Sequence, residues 1–256
     1  MISMKEYLEI KEFLRQRVHE INSCDNHDRE RQRKKQSKYS LPNSDSYGWM
    51  PSIYNCYAFE RDHQKQLYII PYYPFYNFLI ELLPHAIFKF HDMFGTGNAM
   101  NVITAIYNVS GYEHIGSVND YQQYLIDHAY CYFLLRDENG SLSDRIFRLD
   151  LFRHILPNEK NENVFDFDGG LMHAFRHCSW NGRKLSSGKG EIYLKSIWDL
   201  PLLLGEAILN SEDKSSTTFN DGERIWQIHY HINQDTNVYY LKTAFVNSST
   251  NKEALY

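Results

Sequence analysis

The sequence predicts an α+β protein, in which an aromatic-rich α+β region precedes a C-terminal unit of helices and an antiparallel sheet. Residues 3–22 repeat apolar side chains at helical spacing. The segments 223–233 and 238–246 instead carry the β-branched and aromatic residues that are typical of strands. Aromatic residues make up 15% of the 256 residues, which is enough to fill a large packed core.

Charge and cysteine usage limit the classes of function. The formal net charge is −5, so a nucleic-acid site would require a local basic patch. The four cysteines are widely spaced and indicate neither a zinc site nor a disulfide framework. The N-terminus lacks the apolar stretch of a signal peptide, and prolines and polar residues interrupt the apolar run at 67–83. We therefore expect a cytoplasmic protein with no membrane partner.

Residues 1–45 are predicted to form a helix and a charged linker. After the helix over 3–22, the segment Asp28–Lys38 contains six basic and two acidic side chains. Such a segment is typical of a solvated linker and also of an arm that contacts phosphates.

Residues 46–157 are predicted to form an aromatic-rich α+β accessory region. Alternation in SIYNCYAF and QLYIIPYY indicates a hairpin, which a helix from Phe75 to Leu83 follows. Further helices are predicted over 98–110, over 117–134 and in DRIFRLDLFRHIL. The aromatic side chains are interpreted as core, with a stacking or docking surface as the alternative.

Pro157 and the polar run NEKNEN predict a boundary before a second α+β unit over 158–256. Its helices are predicted in LMHAFRHCSW and in SIWDLPLLLGEAILN, which Ser196 would cap. A short strand, EIYLKS, lies between them, and two strands joined at QDTN close the unit. A single-domain packing stays open, because aromatic strands of the first region could complete the sheet of the second.

His173 and His177 lie four residues apart on a predicted helix, so both imidazoles point from one face. Three interpretations compete: histidines without a function, two metal ligands, and a general acid–base pair. The last is favoured by an imidazole pKa near neutrality.

Basic side chains follow this pair. Between His173 and Lys195 there are five of them and one acidic residue. A solvated loop is one interpretation of this segment, and a set of groups that bind substrate phosphates is the other. The candidates are Arg176, Arg183, Lys184, Lys189 and Lys195.

The closing hairpin contributes a second polar set. With a regular even turn, His229, His231, Tyr240 and Lys242 share one face, and Thr243 lies on the other. A one-residue bulge would exchange these sets, so the position of Thr243 stays open. His229, His231 and Tyr240 are candidates for substrate binding, with surface residues of no function as the alternative.

Residues from about 165 to 247 resemble the barnase–EndoU–colicin–RelE superfamily of metal-independent endoribonucleases, found in bacterial toxins and phage-associated effectors. The features that carry the resemblance are GGLMHAFRH, the helix ending LLLGEAILN and the hairpin ending YYLKTAF. It matches His173 and His177 to the catalytic histidines and Thr243 to a late hydroxyl residue. Lys184 or Lys242 matches the phosphate-binding lysine. The fold implied for 158–256 is a ribonuclease-like domain of helices and an antiparallel sheet.

The resemblance implies cleavage of RNA by transesterification. One histidine would take the proton of the ribose 2′-hydroxyl while the other protonates the departing 5′ oxygen. The lysine and Thr243 would stabilise the transition state, and a 2′,3′-cyclic phosphate would form without a metal or other cofactor. The implied protein is a toxin-like nuclease of bacterial defence, whose partners are RNA and a neutralising or activating protein.

Two functions of other classes stay open. A non-enzymatic protein-binding module, such as an immunity or regulatory protein, would use the aromatic region, and its histidines would be incidental. A metal-dependent hydrolase would require His173 and His177 to meet His229 or His231.

Overall fold

The computed structural model describes most of the chain. The described residues are 2–17, 57–61, 65–90, 99–154, 165–166, 169–180, 183–184, 192–212, 215–220 and 224–246. Within these ranges no helix is both long and apolar enough to cross a membrane. The basic segment Asp28–Lys38 lies outside them, so its two interpretations remain predictions.

The strands of the described residues form one large and two small sheets. They are β1 (Tyr57–Arg61), β2 (Lys65–Pro71), β3 (Tyr130–Arg136), β4 (Leu142–Asp150), β5 (Arg153–His154), β6 (Phe165–Asp166), β7 (Cys178–Trp180), β8 (Arg183–Lys184), β9 (Ile192–Leu194), β10 (Ser216–Asn220), β11 (Ile225–Asn233) and β12 (Val238–Val246). The large sheet has seven strands in the order β1-β2-β3-β4-β12-β11-β10. Its pairs are antiparallel, except that β4 and β12 run parallel. The small sheets are β5-β6 and β8-β7-β9.

The described helices lie before and between these strands. They are α1 (residues 4–17), α2 (Tyr73–Asn77), α3 (Leu83–Lys89), α4 (Ala99–Ser110), α5 (Val118–His128), α6 (Gly170–Phe175) and α7 (Asp199–Leu209). A π-helical turn over Phe78–Leu82 joins α2 to α3, and a 3-10 turn over Tyr112–His114 follows α4. Ser117 and Asp120 form a capping box that starts α5.

The two faces of the large sheet are covered differently. Side chains of α2 to α7 pack on the face that carries Phe133 and Phe147, which we call the core face. The opposite face carries Tyr132, and α1 packs on it through the buried Ile10 and Leu14. We call it the α1 face. Both layers remove apolar surface from water, which is the main favourable contribution to folding.

Strands from both predicted regions share the large sheet. β1 to β4 come from residues 46–157 and β10 to β12 from residues 158–256. Ile146–Arg148 pairs in parallel with Val238–Tyr240, and one apolar cluster on the core face contains residues of both regions. The first region thus completes the sheet of the second, which is the packing that the sequence left open.

Most elements with strong local signals are confirmed. The first helix, over its described residues 4–17, the β1–β2 hairpin, α4 and the two closing strands lie where the sequence predicts them. The helix α7 is also present, but it begins at Asp199 after Trp198, so the predicted cap at Ser196 is wrong. The predicted helix from Phe75 to Leu83 is longer, since the helical backbone covers residues 73–89. The interpretation of the aromatic residues as core is also confirmed for Tyr68, Tyr72 and Phe78, which are buried.

Three helix predictions need correction. The helix predicted over 117–134 ends at His128 and gives way to β3. The segment DRIFRLDLFRHIL forms β4 and β5 instead of a helix, and the helix predicted in LMHAFRHCSW ends at Phe175, before β7. β3 and β4 are buried on both sides over most of their length, so they lack the polar–apolar alternation that marks a half-exposed strand.

The closing hairpin contains the one-residue bulge. Tyr230 pairs with Leu241 while His229 pairs with Thr243, so Lys242 is the extra residue of β12. Thr243 therefore lies on the α1 face with His229, and the regular-turn prediction that placed it on the other face is wrong.

Candidate active site

A short helix positions the two histidines of the sequence motif. The helix α6 begins at Gly170, whose φ of 72° is unfavourable for other residues. A Cβ atom at Gly170 would lie 2.5 Å from the carbonyl carbon of Phe152, so the close approach also requires glycine. The apolar residues of α6 are buried in the core: Leu171, Met172, Ala174 and Phe175. Their packing fixes the direction of the helix.

His173 and His177 lie together at the end of α6. Their ring centroids are 5.6 Å apart, and the rings are inclined by 64°. Both side chains are half-buried, and Nε2 of His177 is buried without a hydrogen-bond partner among the described residues. Burial, followed by the charges of His173 and Arg176, lowers the pKa of His177 below its usual 6.5. His177 is therefore a neutral proton acceptor at pH 7.

The polar set of the closing hairpin is brought together on the α1 face. Thr243 lies opposite His229, and Tyr240 lies opposite His231 with ring centroids 5.4 Å apart. His231 is only 8% exposed, whereas His229 and Thr243 are half-buried. These four side chains share one face of the hairpin, where Tyr240 and His231 are buried and only His229 and Thr243 are partly exposed.

Two cations adjoin His231. Burial, followed by the charges of Lys242 and Arg153, lowers the pKa of His231 to about 3. A Cβ atom at Gly169 would lie 2.4 Å from Cβ of Arg153 and 2.9 Å from the carbonyl oxygen of Lys242. The missing side chain at Gly169 thus allows β5, β12 and the start of α6 to meet at this point. It also connects the histidine-bearing helix to the cations.

Arg148 and Asp150 form a buried ion pair on the same face of the sheet. Nε and Nη2 of Arg148 donate hydrogen bonds of 3.1 and 2.8 Å to Oδ1 of Asp150. The guanidinium lies over the ring of Tyr130 at 4.2 Å and near that of Tyr240 at 6.0 Å. Sequence reasoning missed Arg148, Asp150 and Arg153 because it assigned their segment to a helix. The sequence feature that could have located them is a pair of charged residues, Arg148 and Asp150, two positions apart within an apolar run.

Of the other predicted phosphate-binding residues, Arg176 lies beside the histidine pair, where its charge acts on His177, and the others that the structure describes lie elsewhere. Arg176 directly follows α6, and Arg183 and Lys184 form β8, which pairs with β7. Lys195 is exposed after β9. Lys189 lies outside the described residues, so its role remains a prediction.

The histidines do not assemble a metal site in the part of the chain that the structure describes. No group of three His, Cys, Asp or Glu side chains there is close enough to hold a metal ion. The set that a metal-dependent hydrolase requires, His173 and His177 with His229 or His231, is therefore not brought together among these residues.

The buried His231 predicts a loss of stability in mild acid. Its pKa is about 3 in the folded protein, whereas an unfolded histidine titrates near 6.5. The unfolded chain therefore binds the extra proton first. The contribution of His231 to stability is complete above pH 6.5 and is lost as the pH falls towards 3. At pH 5 the loss should be about 2 kcal/mol, measured by urea unfolding of the wild type and of His231→Gln at pH 7 and 5.

His229→Gln is the matched control, because His229 lies on the same strand and face but is half-exposed. We expect this variant to keep the pH dependence of the wild type, whereas the stability of His231→Gln should change less between pH 7 and 5. Equal pH dependence in all three proteins would contradict this prediction, because it would mean that His231 binds a proton equally well in the folded and in the unfolded chain.

The chain matches no protein-family model, no curated protein and no solved structure.

Proposed function

We propose that this protein is a metal-independent endoribonuclease that cleaves RNA by attack of the ribose 2′-hydroxyl on the adjacent phosphate. The observation that carries the proposal is the pair of imidazoles of His173, in α6, and His177, just after it. Their ring centroids lie 5.6 Å apart, and the pKa of His177 is lowered. Two imidazoles at this separation can reach the same substrate group, and one of them is ready to accept a proton at pH 7.

The roles follow from the environments of the two histidines. His177, kept neutral by burial and neighbouring charge, accepts the proton of the 2′-hydroxyl. In the same concerted step His173, the other member of the pair, protonates the 5′ oxygen as it leaves. The balanced step forms one P–O bond, breaks another and yields a 2′,3′-cyclic phosphate and a free 5′-hydroxyl.

Lys242 and Thr243 are the candidates for stabilising the transition state. β12 packs against α6, and the carbonyl oxygen of Lys242 lies beside Gly169 at the start of that helix. A cation near the reacting phosphate would stabilise the negative charge that develops on its oxygens. Thr243 lies on the α1 face, whereas α6 packs on the core face, so the role of its hydroxyl group stays a prediction from the resemblance. By the resemblance of residues from about 165 to 247, the nuclease is toxin-like and would have a neutralising or activating protein partner.

The first test is incubation of the purified protein with total cellular RNA in excess EDTA. We expect discrete fragments that end in 2′,3′-cyclic phosphates. RNA with 2′-O-methyl groups should stay intact, because it lacks the nucleophile. DNA should stay intact for the same reason.

His173→Ala, purified in parallel, is the control for contaminating nucleases and should leave the RNA intact. Cleavage that needs added divalent metal would overturn the proposal in favour of a metal-dependent hydrolase. Intact RNA in both conditions, with and without candidate protein partners, would favour the non-enzymatic binding module.

A further inference from the structure

A row of aromatic side chains runs along α4, α5 and the 3-10 turn between them. It consists of Tyr107, Tyr112, Tyr121, Tyr124 and His128, and the ring centroids of neighbouring members are 4.9 to 6.0 Å apart. Tyr121 is buried, and the other four side chains are partly exposed. We call these five residues the tyrosine row. Because the rings pack against one another, a ligand would meet them already ordered.

Further apolar surface adjoins the tyrosine row. Ile115, which directly follows the turn that carries Tyr112, is 76% exposed. Tyr73 in α2 is 62% exposed, and it lies near enough to Tyr124 to raise the pKa of that phenol, after the larger effects of burial and of Tyr112. Exposed aromatic and apolar groups beside one another are typical of a surface that binds another molecule.

The charge of this surface is negative. Residues 90–135 contain no lysine and no arginine, although the chain has 27 such residues among 256. Asp120 and Asp127 lie four residues before and three residues after Tyr124 on α5, so both carboxylates neighbour its ring on the helix surface. Asp120 also lies near Tyr112, because its charge raises the pKa of that phenol after the larger effect of burial. The surface is therefore suited to a cation and unsuited to a phosphate backbone.

The fold already uses tyrosine and carboxylate groups together to hold arginine. The guanidinium of Arg136 lies 5.4 Å from the ring centroid of Tyr68 and donates hydrogen bonds of 3.0 and 2.9 Å to the two carboxylate oxygens of Glu9. Arg148 likewise lies over the ring of Tyr130 at 4.2 Å. The tyrosine row supplies the same aromatic and acidic groups, and the arginine is the component that α4 and α5 lack.

We propose that the tyrosine row, with Asp120 and Asp127, is the docking surface for an arginine-containing segment of a protein partner. A guanidinium stacks on the exposed face of a tyrosine ring while its N–H groups donate hydrogen bonds to a neighbouring carboxylate. The capping box with Ser117 holds Asp120 in place for this contact. The inference does not rest on RNA cleavage, and it identifies the chemistry by which a regulatory or neutralising partner is recognised.

The test is fluorescence anisotropy of the full chain with labelled oligoarginine and oligolysine peptides of equal length. We expect the wild type to prefer oligoarginine, because a guanidinium stacks on an aromatic ring better than an ammonium group does. Tyr124→Leu keeps an apolar side chain but removes the ring, so it should weaken oligoarginine binding about fivefold and reduce this preference. Tyr124→Phe keeps the ring and should bind like the wild type.

Asp127→Asn tests the acidic component without disturbing the capping box. Its amide oxygen can still accept the hydrogen bond that Nε2 of Gln123 donates to Asp127, so the loss of charge alone should weaken oligoarginine binding about threefold. The matched controls are Tyr193→Leu, at a tyrosine that is 60% exposed, and Glu138→Gln, at an exposed acid. Both should bind oligoarginine like the wild type.

Three results would overturn the proposal. Equal losses in the control variants would assign peptide binding to the net charge of the whole protein, as would wild-type binding that does not distinguish arginine from lysine. A fluorescent 2′-O-methyl RNA whose binding Tyr124→Leu weakens, while peptide binding stays unchanged, would make the tyrosine row a surface for stacked bases. RNA cleavage is measured separately, so the proposed function can survive the failure of this inference.

Discussion

Replacing His173 or His177 by alanine should lower kcat/KM for RNA cleavage by about a hundredfold or more, and replacing both should lower it little further. A general acid and a general base each contribute about this much, and they act in one concerted step. Removal of one histidine already abolishes the concerted step, so removal of the second adds little to the loss of rate. The measurement is the initial cleavage rate of a defined RNA in EDTA by His173→Ala, His177→Ala and the double variant.

The pH profile distinguishes catalysis from a structural effect. His177 must be neutral to accept a proton, and its pKa lies below 6.5, so wild-type kcat/KM should fall as the pH drops through that range. The residual activity of His177→Ala should lack this acidic limb. His114→Ala, whose side chain is 84% exposed, should behave like the wild type. Additive losses of kcat/KM in the double variant would contradict the proposed acid–base pair. An acidic limb that persists unchanged in His177→Ala would contradict it as well.

The sequence predicted those parts of the fold whose signals are local. The β1–β2 hairpin and the closing hairpin show alternating residues, and α4 and α7 show helical spacing with clear ends. The centre of the sheet has no such signal. YCYFLLR is apolar over nearly its whole length because both of its faces are buried, and a continuous apolar run fits a helix or a strand equally well.

The candidate site was predictable to the extent that its residues are close in sequence. His173 and His177 were placed together by a four-residue spacing, and His231 and Tyr240 by a hairpin. The bulge at Lys242 was foreseen as an option, but nothing in the local sequence selects it. Arg153 reaches the site through β5 and the contact at Gly169, which follow from tertiary packing that no local pattern reports.

The second large effect that we expect is on stability: Asp150→Ala should lower the free energy of unfolding by about 3 to 5 kcal/mol. Asp150 is 6% exposed and accepts two hydrogen bonds from Arg148, whose side chain is 2% exposed. Its removal leaves a buried guanidinium without its carboxylate, and that uncompensated charge is the main cost. Urea unfolding at pH 7 measures the change.

Asp144→Ala is the matched control, because Asp144 is also an aspartate of β4 that faces an arginine. Its side chain is 84% exposed and lies 4.0 Å from Nη1 of Arg17, so its loss should cost less than about 1 kcal/mol. The double variant Arg148→Met with Asp150→Leu should regain most of the stability that Asp150→Ala loses, because it leaves no buried charge behind. If the double variant were as unstable as Asp150→Ala, the ion pair itself would stabilise the sheet.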